Sequence, residues 1–253
     1  MKAMVFAAGL GTRLKPFTDF HPKALAEVGG QPMLGRVIEK IKALGVDHIV
    51  VNVHHFAEQV VDYLRACDNF GLQIDISDES SRLLDTGGGL LAAAPLLAGD
   101  EDIIVHNADI LTDFDLADMA RVHTASRAMA TLLADWRQTK RYLLFDRSTM
   151  QMSGWTNIET SAVRPQSLVL TDTLEKLAFG GVHIVSPRIF PLLREFASTH
   201  YADDDRPKFS IMDFYIDACV DADIRAYRPS GPYRWHDIGK PESLAAARSE
   251  FPV

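Results

Sequence analysis

The strongest constraint on the fold is an alternation of two hydrophobic periods through the first half of the chain. Ala3–Ala7 is a short apolar run that stops at glycines, the pattern of a buried strand. Met33–Leu44 carries apolar residues at 33, 34, 37, 38, 41 and 44, with Pro32 before it and Gly45 after it, which is helical spacing with a start and a stop signal. Ile49–Val53, Leu72–Ile76 and Ile103–His106 read as further strands, and Ala57–Cys67, Gly89–Leu97 and Leu116–Ala125 as further helices. Strand–helix alternation of this kind predicts an α/β fold, a Rossmann-like, mostly parallel sheet with helices on both faces.

After Met129 the pattern changes. Thr131–Ala134, Tyr142–Phe145, Leu168–Leu170 and Gly181–Val185 are short and strand-like, with helices expected at Pro187–Phe196, Ile211–Cys219 and Pro241–Glu250. With no internal repeat and no low-complexity linker, the expectation is one domain over 1–253, a first half 1–128 and a sheet-rich second half 129–253 folded onto it.

Several function classes drop out. The longest apolar stretch, Leu90–Ala98, is broken by Pro95, so no spanning helix is expected. Met1–Ala8 is too short for a signal sequence, and two cysteines, Cys67 and Cys219, are too few for a disulfide framework. A net charge of −8 argues against general nucleic-acid binding. These features predict a cytoplasmic protein without membrane or nucleic-acid partners; they leave the oligomeric state open.

The segment Ala7-Ala8-Gly9-Leu10-Gly11-Thr12-Arg13-Leu14 follows the first strand directly. Glycines there let backbone approach a ligand and aim N–H groups at phosphate oxygens. A dinucleotide fingerprint fails because its third glycine is Leu14, and no Gly-Lys-Ser/Thr run supplies a P-loop. Asp109 lies just past the Ile103–His106 strand, at the sheet edge where open α/β folds bind ligands. No His-x-x-x-His or His-Glu-x-x-His pair exists, so the nine histidines do not read as a metal cluster.

Ala7 through Leu14, with Pro16, Thr18 and Pro22-Lys23, resembles the opening signature of the sugar nucleotidyltransferase (NDP-sugar pyrophosphorylase) family, with Ala24 where many members have a second proline. Asn107-Ala108-Asp109 resembles its strand-end motif, and Trp235-His236-Asp237-Ile238-Gly239 its late Trp-x-Asp-x-Gly motif. The resemblance covers almost the whole chain. It implies transfer of a nucleotidyl group from a nucleoside triphosphate to a sugar 1-phosphate, with release of pyrophosphate. Arg13 and Lys23 are then the catalytic cations, and Asp109 and Asp237 the Mg²⁺ ligands. Ala7, Ala8, Gly9, Gly11, Thr12, Glu79, Thr86, Gly87, Gly88 and Asn107 are implied nucleotide-binding residues. Gly154, Asn157 and Gly181 are implied sugar-binding residues, and Glu175-Lys176 a weaker candidate.

The Thr86-Gly87-Gly88-Gly89 loop looks like the short uridylyltransferases acting on N-acetylmuramic acid 1-phosphate in cell-wall recycling. Glu79 points instead toward guanine, as in mannose- or heptose-1-phosphate guanylyltransferases. UTP is therefore the first expectation and GTP the second. A nucleotide-sugar sensor is the alternative of another class, but a sensor has no need of Arg13, Lys23, Asp109 and Asp237 together.

Overall fold

The computed structural model describes residues Met1–Phe251. The first half runs β1 (Lys2–Phe6), β2 (Glu27–Val28), β3 (Gln31–Pro32), α1 (Met33–Lys42), β4 (His48–Val53), α2 (Ala57–Ala66), β5 (Gln73–Asp78), α3 (Asp85–Ala93), β6 (Ile103–Asn107), β7 (Ile110–Thr112) and α4 (Leu116–Ser126). The second half continues with β8 (Ala130–Asp135), β9 (Arg141–Asp146), β10 (Met152–Asn157), β11 (Ala162–Arg164), β12 (Leu174–Val185), α5 (Ile189–His200), α6 (Ile211–Ala218), β13 (Ile224–Tyr227), β14 (Trp235–Asp237) and α7 (Pro241–Glu250).

The main sheet has the order β11-β10-β9-β12-β6-β1-β4-β5, with β8 on β12 and β13 on β8. The β6-β1-β4-β5 portion is parallel, as the alternating pattern requires; β12 then joins β6 antiparallel and carries the second half. Alternate residues of each central strand enter opposite layers. Met4 and Val105 pack with α3, α5 and α6, whereas Ala3, Val5 and Ile104 pack with α1, α2 and α4. Leu34, Ile38 and Ile41 show why α1 forms: its apolar stripe is fully buried, each side chain contributing roughly 2 kcal/mol.

A third apolar cluster joins the two ends of the chain. Leu14, Ala26 and Val28 from the amino-terminal turns pack with Leu111, Ile238 and, from α7, Leu244 and Ala247. The leucine that breaks the dinucleotide fingerprint is 2% exposed and joins the opening loop to the late motif.

Three expectations need correction. Leu168–Leu170 is not a strand; Val169 is 73% and Leu170 47% exposed, with no partner strand to pair them. The strand expected at Gly181–Val185 begins at Leu174, and its register on β8 shifts between Phe179 and His183, around the two glycines that masked it. The helix expected from Gly89 begins at Asp85. Gly87, Gly88 and Gly89 are weak helix formers, but a chain segment packs on the bare face of the first two, and the third lies against Glu79, Asn52 and Phe6. A β-carbon on Gly88 would lie 2.2 Å from the Pro207 carbonyl oxygen, and one on Gly87 2.4 Å from the Phe209 ring.

Candidate functional site

The opening loop leaves β1 at the carboxyl edge of the sheet. Asn52, at the end of neighbouring β4, accepts from the Ala7 and Ala8 N–H groups at 2.8 and 3.3 Å through its Oδ1. Gly11 adopts φ +61°, and a β-carbon there would meet Thr18 at 2.8 Å and Lys23 at 2.9 Å. The hydroxyl of Thr18 donates to the Gly11 carbonyl at 2.9 Å, so Thr18 of the signature pins the turn. Thr12 opens the following short turn Thr12–Leu14, and Arg13 projects from it with a largely exposed side chain. Among the described residues, the N–H groups of Gly9, Leu10 and Gly11 make no internal hydrogen bond, and nothing lies within 4 Å of a β-carbon built on Gly9. The loop thus presents open backbone donors beside two cations, Arg13 and Lys23.

Asp109 and Asp237, 128 positions apart, come together through a backbone pairing. β7 pairs antiparallel with β14, placing Asp237 opposite Ile110, and the Ile238 N–H donates to the Asp109 carbonyl at 2.9 Å. The Lys23 ammonium, 8% exposed as a residue, bonds Asp109 Oδ2 and lies 3.6 Å from Asp237 Oδ1. Arg13 Nη2 lies 3.9 Å from Asp237 Oδ2. Two carboxylates and two cations therefore converge at the mouth of the glycine loop. Asp237 Oδ1 is buried without a hydrogen-bond partner, an orphaned hard oxygen of the kind a divalent cation takes. Among the described residues no group of three or more His, Cys, Asp or Glu gathers as a metal site, so protein would supply only this pair.

A cleft of about 260 Å³ opens beside this centre, lined among others by Ala8, Gly9, Asn107, Asp109, Asp85 and Thr86. Its far wall differs from expectation. Glu79 is fully buried: Oε1 accepts from Asn52 Nδ2 at 2.7 Å and Oε2 from the Leu84 N–H at 2.9 Å. Burial pushes its carboxyl above the ordinary range. Both oxygens are thus committed inside the protein, where they orient the asparagine that holds the opening loop. The N–H groups of Gly87 and Gly88 both donate to the Phe209 carbonyl, at 2.9 and 3.2 Å, and the Thr86 hydroxyl accepts from Ile211 N–H at 2.9 Å. These residues hold the 207–211 segment against α3, and through it the exposed Lys208, which lines the cleft. Lys208 escaped the sequence reading: only the Gly87-Gly88 pair signals the contact, and its partner lies more than a hundred residues away.

Gly181 is brought to the site, with φ +74°; a β-carbon there would lie 2.6 Å from Ile110 and 3.2 Å from the Asn107 amide. Trp235 Nε1 donates to the adjacent Gly180 carbonyl at 2.9 Å, tying β14 to β12. Gly154 sits elsewhere, under the Arg164–Pro165 turn, where a β-carbon would be 2.2 Å from the Arg164 carbonyl oxygen. Asn157 ends β10, and its Oδ1 accepts from Glu159 N–H at 3.0 Å. Glu175 is buried and accepts from Trp136 Nε1 at 2.9 Å and Arg228 Nη1 at 3.1 Å.

The nucleotidyl transferase family model matches residues 2–252. An N-acetylmuramate alpha-1-phosphate uridylyltransferase of Caulobacter vibrioides is 32% identical over 255 residues, 98% of this chain and 96% of that protein. One from Neisseria meningitidis serogroup B is 33% identical over 190 residues, 75% and 77% of the two chains. A UDP-glucose pyrophosphorylase solved with UDP-glucose superposes with a TM-score of 0.76 over 99% of this chain and 98% of its own, at 19% identity, a likeness of fold.

Proposed function

The chain belongs to the nucleotidyl transferase family, and from that premise we propose that it couples UTP to N-acetylmuramic acid 1-phosphate, forming the UDP-sugar and pyrophosphate. The observation that carries the reaction class is the convergence of Asp109, Asp237, Lys23 and Arg13 at the open donors of the glycine loop. The choice of base and sugar is supported by the near full-length likeness to the Caulobacter uridylyltransferase.

A phosphate oxygen of the sugar 1-phosphate attacks the α-phosphorus of the triphosphate; the bond from that phosphorus to the bridging oxygen breaks and pyrophosphate leaves. The attacking phosphate is already an anion near neutral pH, so no general base is required. The protein has two tasks: neutralising charge and holding the reactants in line. The Lys23 ammonium, a compact point charge, is suited to the α-phosphate, and the Arg13 guanidinium to a bidentate grip on the departing pyrophosphate. Gly9, Gly11 and Thr12 offer backbone N–H groups to the phosphates, and Ala7 and Ala8 hold the start of that cradle.

Asp109 and Asp237 would hold Mg²⁺, which when bound spreads the negative charge of the phosphates. The Lys23 ammonium lies against the same two carboxylates, which keeps it beside the phosphates that such a cation would meet. Asn107, Thr86 and Lys208 face the nucleoside; Glu79 backs that wall through its bonds to Asn52 and Leu84, and Gly87 and Gly88 back it through the 207–211 segment. We assign nucleotide binding to 1–128, with Lys208 contributed from the second half, and the sugar to 129–253. Gly181 is the sugar residue nearest the reacting groups, and Asn157 and Gly154 shape the outer part of that half.

Pyrophosphate release should be measured with UTP, GTP, CTP, ATP and dTTP against a panel of sugar 1-phosphates, with Mg²⁺ and with EDTA. UTP with N-acetylmuramic acid 1-phosphate should give the fastest release, abolished by EDTA. Faster release with GTP and mannose 1-phosphate would overturn the substrate assignment, and activity in EDTA the metal role.

A further inference from the structure

The second half contains a pocket of about 540 Å³ lined by Trp136, Arg137, Gln138, Tyr142, Ile158 and Lys176. Two of its six lining residues are cationic and none is a carboxylate. Trp136 is 67% and Ile158 52% exposed, so its walls are aromatic and apolar as well.

The two cations differ in how they are held. Arg137 is fixed: Nη2 donates to the Ala178 carbonyl at 2.6 Å, Nη1 to the Tyr233 hydroxyl at 3.2 Å, and the guanidinium stacks 4.2 Å over the Trp235 ring. Among the described residues it has no salt-bridge partner within 4 Å, although burial pushes its pKa below the ordinary value. The nearby carboxylates are engaged elsewhere, Asp135 and Glu175 both by Arg228. Lys176 is exposed on β12, on the face opposite buried Glu175, and has no ion-pair or hydrogen-bond partner among the described residues. A preorganised, partly desolvated guanidinium with no counter-charge is an anion receptor in waiting.

Trp235 and Asp237 are two residues apart on β14, so they share a face at about 7 Å. Arg137, stacked on Trp235, is thereby tied to the strand that carries Asp237, on the side of Gly180. We propose that Arg137, assisted by Lys176, binds a carboxylate carried by the sugar itself, the 3-O-lactyl group of N-acetylmuramic acid, with Trp136 and Ile158 against its apolar part. The inference rests on the sugar-1-phosphate uridylyl reading and adds to it the residue that selects an acidic sugar.

The test compares N-acetylmuramic acid 1-phosphate with N-acetylglucosamine 1-phosphate, which differ only by the lactyl ether, in wild type, Arg137→Gln and Lys176→Gln. The readout is the ratio of kcat/KM for the two sugars. Wild type should favour the lactyl sugar. Arg137→Gln should cut that preference at least about tenfold, the scale of a lost charge-assisted hydrogen bond. Lys176→Gln should cut it by about threefold, and since Lys176 is exposed and unpaired this variant carries the test if Arg137→Gln melts early. Equal losses on both sugars, or a preference unchanged in both variants, overturns the inference. So does a wild-type enzyme that uses the two sugars equally, or one that prefers glucuronic acid 1-phosphate, whose carboxylate is on C6. A wild type that releases no pyrophosphate from UTP with any of these sugars overturns the uridylyl reading itself.

Discussion

A single carboxylate illustrates how burial decides a role. Glu79 reads in the sequence as a group able to accept from guanine, yet both of its oxygens are occupied by Asn52 and Leu84 inside the protein. Glu79→Gln would turn an NH₂ group against one of two donors, either the Leu84 N–H or the Asn52 amide. The expected result is a loss of about 1–3 kcal/mol of stability, the cost of an unsatisfied buried donor. Turnover should fall by the same factor with UTP and GTP; a loss confined to GTP would return Glu79 to the base. The residues proposed for catalysis were more legible. Arg13, Lys23, Asp109 and Asp237 stand in motifs whose residue types match the chemistry, and the structure brings all four together. Lys208 was illegible because an exposed lysine in a polar loop looks the same whether or not it faces a cleft.

At the scale of elements, periodicity revealed α1, α2 and α4 because each has one side in a core, and continuous apolar runs revealed the central strands because both of their faces are buried. It failed where tertiary contact overrides local preference. The first turn of α3 holds three glycines that favour a loop, yet it is helical, with the 207–209 segment packed on the bare surface of Gly87 and Gly88. β10, β11 and β13 were not anticipated; Gly154 interrupts the first, and the second has three residues. Gly88→Ala tests the α3 contact. A β-carbon 2.2 Å from the Pro207 carbonyl oxygen must push the segment away and carry Lys208 with it. The variant should melt several degrees lower, as expected for roughly 1–3 kcal/mol of overpacking. It should also bind UTP more weakly, and unchanged UTP affinity would separate the segment from the nucleotide.

For the whole molecule, the sheet places its chemistry at one edge and its buried titratable groups in the interior. Burial pushes His106 down to about 4 and His183 to about 3, and the Nε2 atoms of both are buried without partners. Because these folded values lie below the ordinary histidine value of 6.5, the unfolded chain takes up protons first on acidification. Their stability contribution is therefore intact above that value and drains as pH falls toward 4. His183 lies between Phe179 and Tyr215, so His183→Phe keeps an aromatic ring there and removes one titration, at a pH-independent cost from the lost 3.4 Å contact of Nδ1 with the Tyr215 hydroxyl. Urea unfolding should show the wild type losing on the order of 3 kcal/mol more than the variant between pH 6.5 and 4. Parallel pH profiles would show that His183 does not titrate with folding.

The fold also explains why the carboxylate pair was invisible to spacing: the β7–β14 pairing joins the middle of the chain to its late part, and the cluster holding Leu14 and Ile238 joins its two ends. The most direct test of the account is pyrophosphate release from UTP and N-acetylmuramic acid 1-phosphate by Asp109→Asn and Lys23→Ala, alongside circular dichroism. Each variant should keep its fold and lose at least about a hundredfold in kcat, the scale of removing one charge-stabilising group from a transition state. A folded variant of either kind turning over at the wild-type rate would contradict the assignment of this centre.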